Sequence, residues 1–137
     1  MQEKFIQTVL KEAKKAYKQN EIPVGAIIVK NNKIIAKAHN MVERKKNATL
    51  HAELIAIKKA SKKIKNWRLN DCEMYVTLEP CTMCMSAIEL SRIKKIHFLV
   101  KKDKEINIKR DKYYYLNNKS ANDMSLNLIQ GFFKKRR

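Results

Sequence analysis

The sequence contains few of the residues that break a chain into separate units. Only two glycines and two prolines occur in 137 residues, and no Pro/Gly/Ser-rich stretch or internal repeat divides it. At this length, folding buries about two-thirds of the surface that the unfolded chain exposes, so one self-contained core is feasible. We therefore expect residues 1–137 to form a single domain.

Long hydrophobic runs are also missing. The longest, VGAIIV at residues 24–29, is far shorter than the roughly 20 apolar residues of a membrane-spanning helix, so no membrane segment is predicted. The first twenty residues mix acids and bases and lack the order of a secretory signal peptide. We expect a cytoplasmic protein. The three cysteines suit a reducing compartment and a metal site better than a disulfide framework.

Acidic residues are scarce relative to basic ones. Thirteen Asp and Glu oppose 31 Lys and Arg, which gives a formal net charge of +18. Such an excess on a small domain attracts polyanions, and nucleic acid is the natural partner. Lysine, asparagine and isoleucine are all abundant, however, and an AT-rich genome would produce the same bias. Composition leaves both interpretations open.

What is present is an alternation of two hydrophobic periods. Helical spacing predicts amphipathic helices, and runs of β-branched or aromatic residues predict strands. The predicted helices are residues 5–18, 51–64, 83–92 and 122–135, and the predicted strands are a hairpin within 21–40, then 73–78, 95–100 and 113–116. Strands joined by helices imply partly parallel pairing in a sheet covered on both faces. The predicted fold is a three-layer α/β/α sandwich with a mixed five-stranded sheet.

Two cysteines mark the start of the third predicted helix. Cys81 and Cys84 stand three residues apart, so both sulfurs lie on one helix face, and Pro80 suits the first helical position. A helix N-terminus lowers thiol pKa values and so favours the thiolates that bind metals. The C-x-x-C spacing alone is weakly specific, because it also fits a redox-active pair or an incidental one.

The segment HAE at residues 51–53 strengthens the metal interpretation. With His51, the two cysteines give three ligands, which leaves one position of a tetrahedral zinc open, whereas a structural site normally has four protein ligands. Water in the open position is deprotonated near neutral pH. Glu53 can reach that water only if both residues lie in the first turn of a helix. Cys72 is predicted to be a buried thiol without a role.

These residues carry a resemblance to a known family. H-x-E followed by P-C-x-x-C is the signature of the zinc nucleobase deaminases. The chain more narrowly resembles the bacterial-type tRNA-specific adenosine deaminases, over residues 1–98 and again near the C-terminus. The matching segments are NEIPVGAIIV, HN at 39–40, TLHAE, NWRL, MYVTLEPCTMC, SRIKKIHF and the closing FFKKRR. The resemblance implies a cytidine-deaminase-like version of the sandwich.

The resemblance also implies an activity. Members of the family act as homodimers that flip the wobble adenosine of an arginine tRNA anticodon out of its stack and convert it to inosine. Carried over by position, His51, Cys81 and Cys84 hold one Zn²⁺ per subunit, and zinc-bound hydroxide attacks C6 of adenine. Glu53 is then the proton shuttle, which takes the proton from the water, gives it to ring N1 and then assists departure of the amine as a general acid and base.

Further positions match the substrate pocket of that family. Asn40 corresponds to an asparagine that hydrogen-bonds the flipped base, and Val24 corresponds to an apolar wall. Backbone groups around Ala52, Leu78 and Glu79 are expected to frame the same cavity. Without the resemblance, Asn40 would be interpreted as a turn residue at the end of the second strand.

The basic aromatic tail FFKKRR is a candidate RNA contact. Phe133 can stack on unpaired bases, and Lys134, Arg136 and Arg137 can neutralise phosphates. The alternative is a helix that buries both phenylalanines and ends in a solvated charge cluster, and the two interpretations are compatible. Trp67, earlier in the chain, is predicted to be a core residue.

Two segments depart from the family pattern. Residues 99–112 contain no glycine and place Lys101 and Lys102 before Asp103, where the family has a longer acidic stretch with glycine. Asn47 and Ala48 replace the usual Asp-Pro before HAE, although an asparagine can still accept a turn hydrogen bond. The first departure bears on the substrate pocket and the dimer contact and leaves the zinc chemistry untouched.

Two other functions stay open. A deaminase of a free base, nucleoside or nucleotide, of the guanine or cytidine type, would share the zinc site and the sheet but would not explain the basic aromatic tail. A non-catalytic, zinc-stabilised RNA-binding module would explain the charge, but binding alone has no need of the Glu53 carboxylate beside the metal.

Overall fold

A computed structural model of the protein describes residues 2–102 and 111–135. The elements in chain order are α1 (Gln2–Lys18), β1 (Gly25–Lys30), β2 (Lys33–His39), α2 (Val42–Lys45), α3 (Ala52–Ile64), β3 (Cys72–Val76), α4 (Thr82–Leu90), β4 (Lys95–Phe98), β5 (Tyr113–Tyr115) and α5 (Lys119–Lys135). The strands form one sheet in the order β2-β1-β3-β4-β5. β1 is antiparallel to β2 and β3, whereas β3, β4 and β5 are parallel. The predicted mixed five-stranded sheet is confirmed.

The two central strands are shorter than their hydrophobic patterns predicted. β3 ends at Val76 and β4 ends at Phe98, although apolar residues continue beyond both. The chain leaves the sheet there as two loops, which are joined by a hydrogen bond from the Glu79 N–H to the Val100 carbonyl (2.8 Å). The residues past the strands therefore build the edge of a site instead of extending the sheet.

The hairpin between β1 and β2 depends on two asparagines. Asn31 and Asn32 have φ angles of 52° and 62°, and the flanking residues Lys30 and Lys33 are paired. Positive φ at both central positions is the requirement of a type I′ turn, which matches the twist of the strands. Asparagine tolerates this conformation better than most residues, which explains why the chain turns here. The predicted hairpin is confirmed.

Alternate residues of β1 point to opposite faces of the sheet. Ala26 and Ile28 pack in a cluster with the alanines of α3, and Ile27 and Val29 pack in a second cluster with α1. The alanines of α3 recur every four residues and are fully buried: Ala52, Ala56 and Ala60. Helices therefore cover both faces, which completes the three layers.

Gly25 lets α1 lie close against the start of β1. A Cβ atom at this position would lie 2.4 Å from the Val9 carbonyl oxygen and 2.7 Å from the Ala13 nitrogen. Both are backbone atoms of a helix and cannot move aside cheaply. The glycine thus fixes where β1 begins and places Val24, its neighbour, beside the cavity described below.

The longest helices, α1 and α5, have 17 residues each. Both are amphipathic: α1 packs one face against the sheet, and α5 packs against α1. Within residues 2–102 and 111–135, no helix combines the length and apolar character needed to span a membrane.

Candidate metal centre and active site

The N-cap residues of α3 and α4 do not use their side chains to cap the helices. His51 precedes α3 and Cys81 precedes α4, both with an extended backbone. Ser, Thr, Asp or Asn is preferred at this position and bonds the first N–H groups of the helix. Neither His51 nor Cys81 makes such a bond, so the imidazole and the thiol are available to another partner.

His51, Cys81 and Cys84 converge on one point. The His51 Nδ1 atom lies 3.6 Å from the Cys81 Sγ and 3.5 Å from the Cys84 Sγ, and all three donor atoms lie within 4.8 Å of one another. A tetrahedral zinc with bonds of about 2.3 Å to sulfur and about 2.1 Å to nitrogen separates sulfur from nitrogen by about 3.6 Å. The three side chains therefore fit a zinc ion, and no fourth side chain of the described ranges joins them.

Glu53 occupies the first turn of α3, two residues after His51. Its side chain is 4% exposed, and its Oε1 is the one buried side-chain oxygen or nitrogen in the described part of the chain without a hydrogen-bond partner. Burial raises the pKa of this carboxyl. A buried acceptor without a donor costs about 1–3 kcal/mol. An oxygen held at that cost is suited to a group that binds in front of it.

The two thiols differ in their affinity for protons. A hydrogen bond from Cys84 is the largest cause that lowers the pKa of Cys81 to about 4, and the charges of His51 and Lys102 contribute against the effect of burial. The same hydrogen bond, together with burial, raises the pKa of Cys84. These opposite shifts favour the thiolate at Cys81, and binding of a divalent cation releases the proton that the pair retains.

A cavity of about 250 Å³ opens in front of this cluster and is lined in part by His51, Glu53 and Cys81. Its volume is slightly below the usual range for small-molecule sites. The cavity leaves room for a small ligand beside the metal donors and one carboxylate. The arrangement of three donors, an open coordination position and a buried acid suits the metal-assisted hydrolysis of a small group.

The family comparison agrees with this chemistry. Residues 1–100 match the model of the cytidine and deoxycytidylate deaminase zinc-binding region. The chain belongs to this zinc-binding deaminase family. His51, Cys81 and Cys84 are positioned to bind a metal ion, and the family assignment confirms zinc as the predicted cofactor.

Individual relatives are more specific. The tRNA-specific adenosine deaminase of Aquifex aeolicus is 54% identical over 96 residues, which cover 70% of this chain and 64% of that protein. The tRNA-specific adenosine deaminase of Rickettsia bellii is 42% identical over 140 residues, which cover 92% of this chain and 95% of that protein. A solved structure from a study of A-to-I editing by tRNA:A34 deaminases has a TM-score of 0.82 and 28% identity, and covers 90% of this chain and 97% of its own. The deaminase-like fold is thereby confirmed.

Asn40 in this deaminase domain lies where the resemblance placed it, in the cavity wall, and is 5% exposed. Its Oδ1 accepts a hydrogen bond from the Ala52 N–H at 2.7 Å, which satisfies one of the free N–H groups at the start of α3. The side-chain oxygen is thus engaged, and the amide nitrogen is the group left for a ligand. Asn40 therefore has a structural role at the start of α3, and its role toward a substrate stays a prediction.

The other predicted pocket residues are also near the site. Val24, Leu78 and Glu79 line the cavity. Ala52 is fully buried and contributes through its N–H bond to Asn40. The Glu79 Oε1 accepts a hydrogen bond from the Lys102 N–H at 3.0 Å, so this carboxylate holds the chain that follows β4. Their roles toward a substrate stay predictions.

Several lining residues were not predicted from the sequence. They are Glu21, Ile22, Val42, Glu43, Lys102 and Phe132. Their positions depend on how α1, α2 and α5 pack around the site, which no local motif encodes. The NEIPVG segment was a usable indication for Glu21 and Ile22, because it directly precedes β1.

The C-terminal tail divides between the two interpretations. Phe132 is buried and lines the cavity, whereas Phe133 is 51% exposed and its ring stands edge-on to Phe132 at 5.3 Å. Lys134 is also exposed. Arg136 and Arg137 lie outside the described residues.

Trp67 is 52% exposed, so the prediction of a core residue was wrong. The centre of its ring lies 4.5 Å from the Arg68 guanidinium carbon, so the ring packs against a cation at the surface. Cys72 is fully buried, and burial raises the pKa of its thiol. His39 contacts Glu12 and Gln19.

Proposed function

We propose that the protein converts adenosine to inosine in tRNA, at the wobble position of the anticodon and in an arginine tRNA. The observation that carries the proposal is the cluster of three metal donors beside Glu53, whose Oε1 has no hydrogen-bond partner among the described residues, at a small cavity lined in part by His51, Glu53 and Cys81. The relatives from Aquifex aeolicus and Rickettsia bellii support tRNA as the substrate, since both are named tRNA-specific adenosine deaminases. The chain spans 64% of the first of these relatives, so the activity of the whole protein is part of the proposal.

The residues of the chain divide the reaction between them. A zinc ion held by His51, Cys81 and Cys84 supplies hydrolytic chemistry, because it activates water near neutral pH. The Glu53 carboxylate would accept one proton of the attacking water and deliver it to ring N1. It would then move the second proton of that water, from the new C6 hydroxyl, to the amine, which leaves as ammonia. Because the Asn40 oxygen is bonded to α3, its amide nitrogen donates to an acceptor of the purine.

The anticodon stem-loop is expected to lie across the cavity mouth beside the end of α5. There the exposed ring of Phe133 and the ammonium of Lys134 offer one stacking surface and one phosphate contact. We expect Phe133→Ala to weaken stem-loop binding about tenfold, since a stacked base contributes on the order of 1–3 kcal/mol. Fluorescence anisotropy with a labelled stem-loop measures the effect. Leu126→Ala, an exposed apolar residue on α5, is the matched control and should bind as wild type.

The proposal includes a homodimer in the cytoplasm. α4 exposes two apolar side chains about two turns apart on its outer surface, with Met83 at 37% and Leu90 at 69% exposure. Residues seven apart lie on the same side of a helix, so a second copy would cover them together. Light scattering on purified protein tests the stoichiometry, and Leu90→Glu should shift a dimer to monomer.

The function is tested by offering the purified protein a set of substrates. Inosine should form in an anticodon stem-loop carrying adenosine at the wobble position, and sequencing of whole tRNA should show conversion at that position in arginine tRNA. Free adenosine, guanine and cytidine should not be turned over. Activity confined to the free compounds would identify a base or nucleoside deaminase instead, and stem-loop binding without turnover by any zinc-loaded preparation would identify a binding module.

A further inference from the structure

The wall of the cavity includes an element that does not stabilise itself. α2 has four residues, buries none of their side chains, and receives no side-chain hydrogen bond from Met41, which precedes it. A helical turn of this length is unstable in isolation. Nevertheless, Val42 and Glu43 line the cavity. Another part of the molecule must therefore fix the position of α2.

Glu21 supplies that support from outside the helix. Its Oε1 accepts the Glu43 N–H at 3.0 Å and its Oε2 accepts the Arg44 N–H at 2.7 Å. Both donors are backbone groups of the first turn, which otherwise lack partners inside a helix. Hydrogen bonds to an ionised carboxylate are about twice as strong as neutral ones. One side chain thus satisfies two N–H groups of α2 at once.

The Glu21 carboxylate is itself held rigidly. α1 ends in a Schellman motif, with Asn20 at φ 61°, the Glu21 N–H bonded to the Ala16 carbonyl at 3.0 Å and the Asn20 N–H bonded to the Tyr17 carbonyl at 3.2 Å. The residue after the left-handed position commonly makes an apolar contact back to the helix. Here it is a glutamate, 1% exposed, whose side chain runs to α2 and also lines the cavity.

We propose that Glu21 is a positioning residue for the substrate, which it serves by holding α2 as a wall of the pocket. The inference rests on the proposed function. The metal donors and Glu53 are carried by α3 and α4, whereas the Glu21 contacts join the end of α1 to α2. Loosening α2 therefore changes how the base fits the cavity and leaves the groups that perform the chemistry in place. The expected signature is a change in KM with little change in kcat.

Glu21→Gln tests this directly. The glutamine amide keeps one acceptor oxygen but places an NH₂ group against the second N–H, so one of the two contacts becomes repulsive. We expect KM for the anticodon stem-loop to rise about tenfold and kcat to stay within about twofold, because an interaction shared by ground and transition states is lost. Zinc content should stay at one per chain.

Glu3→Gln is the matched control. It makes the same carboxylate-to-amide change on α1, at an exposed residue that does not line the cavity. Its KM should stay within about twofold of wild type. Glu21→Asp keeps both acceptor oxygens on a shorter side chain and should give a KM between those of wild type and Glu21→Gln. Equal KM values for Glu21→Gln and Glu3→Gln, or a parallel loss of kcat and zinc, would overturn the proposal.

Amide hydrogen exchange on the wild-type protein examines the same contact without substrate or variant. The N–H groups of Glu43 and Arg44 should exchange at least about tenfold more slowly than the exposed loop amide of Trp67, because a hydrogen-bonded amide exchanges only after local opening. Exchange of both amides at the rate of Trp67 would show that Glu21 does not hold α2. This measurement is independent of any activity, so failure of the proposed function and failure of this inference are distinguishable.

Discussion

Two glutamates on opposite faces of the sheet are equally buried and have opposite surroundings. Glu12 on α1 and Glu53 on α3 are both 4% exposed. Glu12 has two partners: its Oε1 lies 3.3 Å from the His39 Nδ1 and its Oε2 lies 2.9 Å from the Lys15 Nζ. The Glu53 Oε1 has none among residues 2–102 and 111–135.

The surroundings move the two pKa values in opposite directions. The hydrogen bond with His39 is the largest cause that lowers the pKa of Glu12, to about 2, with Lys15 contributing next against the effect of burial. At Glu53, burial dominates and raises the pKa. Burial alone therefore does not distinguish a structural carboxylate, such as Glu12, from the one that the proposed function makes catalytic. The distinction is whether the protein itself supplies the charge partners.

The largest expected effect comes from replacing the unpaired carboxylate. Glu53→Gln should lower kcat on the stem-loop by about 10³-fold, because a positioned acid and base contributes about 10²–10⁴-fold. The free energy of unfolding should stay equal or rise by about 1 kcal/mol, because a buried carboxyl with an unsatisfied oxygen is replaced by a neutral amide. Stopped assays and urea titration measure the two quantities. A stability loss as large as that of Glu12→Gln would contradict the contrast.

The cysteines allow a second contrast between equally buried groups. Cys84 and Cys72 are both fully buried, but only Cys84 belongs to the donor cluster. Cys84→Ala should lower zinc affinity by more than about 100-fold, since even outer-shell changes reduce metal affinity by about 10–100-fold. Cys72→Ala should keep one zinc per chain. Competition with a chromogenic chelator measures both, and equal zinc loss in the two variants would remove Cys84 from the site.

Breaking the partnered carboxylate should affect stability and its pH dependence. The folded-state pKa of Glu12 is lowered from 4.5 to about 2, so its stabilisation is fully present above pH 4.5 and is lost as pH falls toward 2. Glu12→Gln should therefore cost about 3 kcal/mol at neutral pH. Between pH 4.5 and 3 the two proteins should approach each other in stability.

Guanidinium unfolding at a series of pH values tests this difference. Comparing the two proteins cancels the other carboxylates, while His39 and Lys15, the charged groups that face Glu12, are present in both. A gap that stays constant from pH 7 to pH 3 would show that the ionised state of Glu12 does not stabilise the fold.

The sequence was sufficient to predict the metal donors but only part of the cavity wall around them. His51, Glu53, Cys81 and Cys84 occur in two short motifs at helix starts, where local spacing determines which way side chains point. The family resemblance added Asn40, whose bond to α3 has no local pattern. The sheet and its hairpin were likewise predictable, because hydrophobic period and turn chemistry act over a few residues.

The parts that were missed depend on contacts between distant segments. α2 has no hydrophobic period from which the sequence could predict it. The helix is held by Glu21, which lies more than twenty residues away in sequence. Phe132 and Phe133 are neighbouring residues of the same type. Only the packing of α5 places Phe132 at the cavity and leaves Phe133 exposed. Trp67 was wrongly predicted to lie in the core, because its surface contact with Arg68 leaves no recognisable pattern in the sequence.

The smallest expected effect separates the two partners of Glu12. The Lys15 side chain is 55% exposed, whereas that of His39 is 15% exposed, so water screens the lysine contact more strongly. Lys15→Ala should therefore lower the free energy of unfolding by less than about 1 kcal/mol, while His39→Ala should lower it by more than Lys15→Ala does. Urea titrations at low and high salt compare the two, and only the lysine contribution should fall toward zero in salt. A larger loss for Lys15→Ala would mean that the ion pair, and not the buried histidine contact, keeps Glu12 ionised.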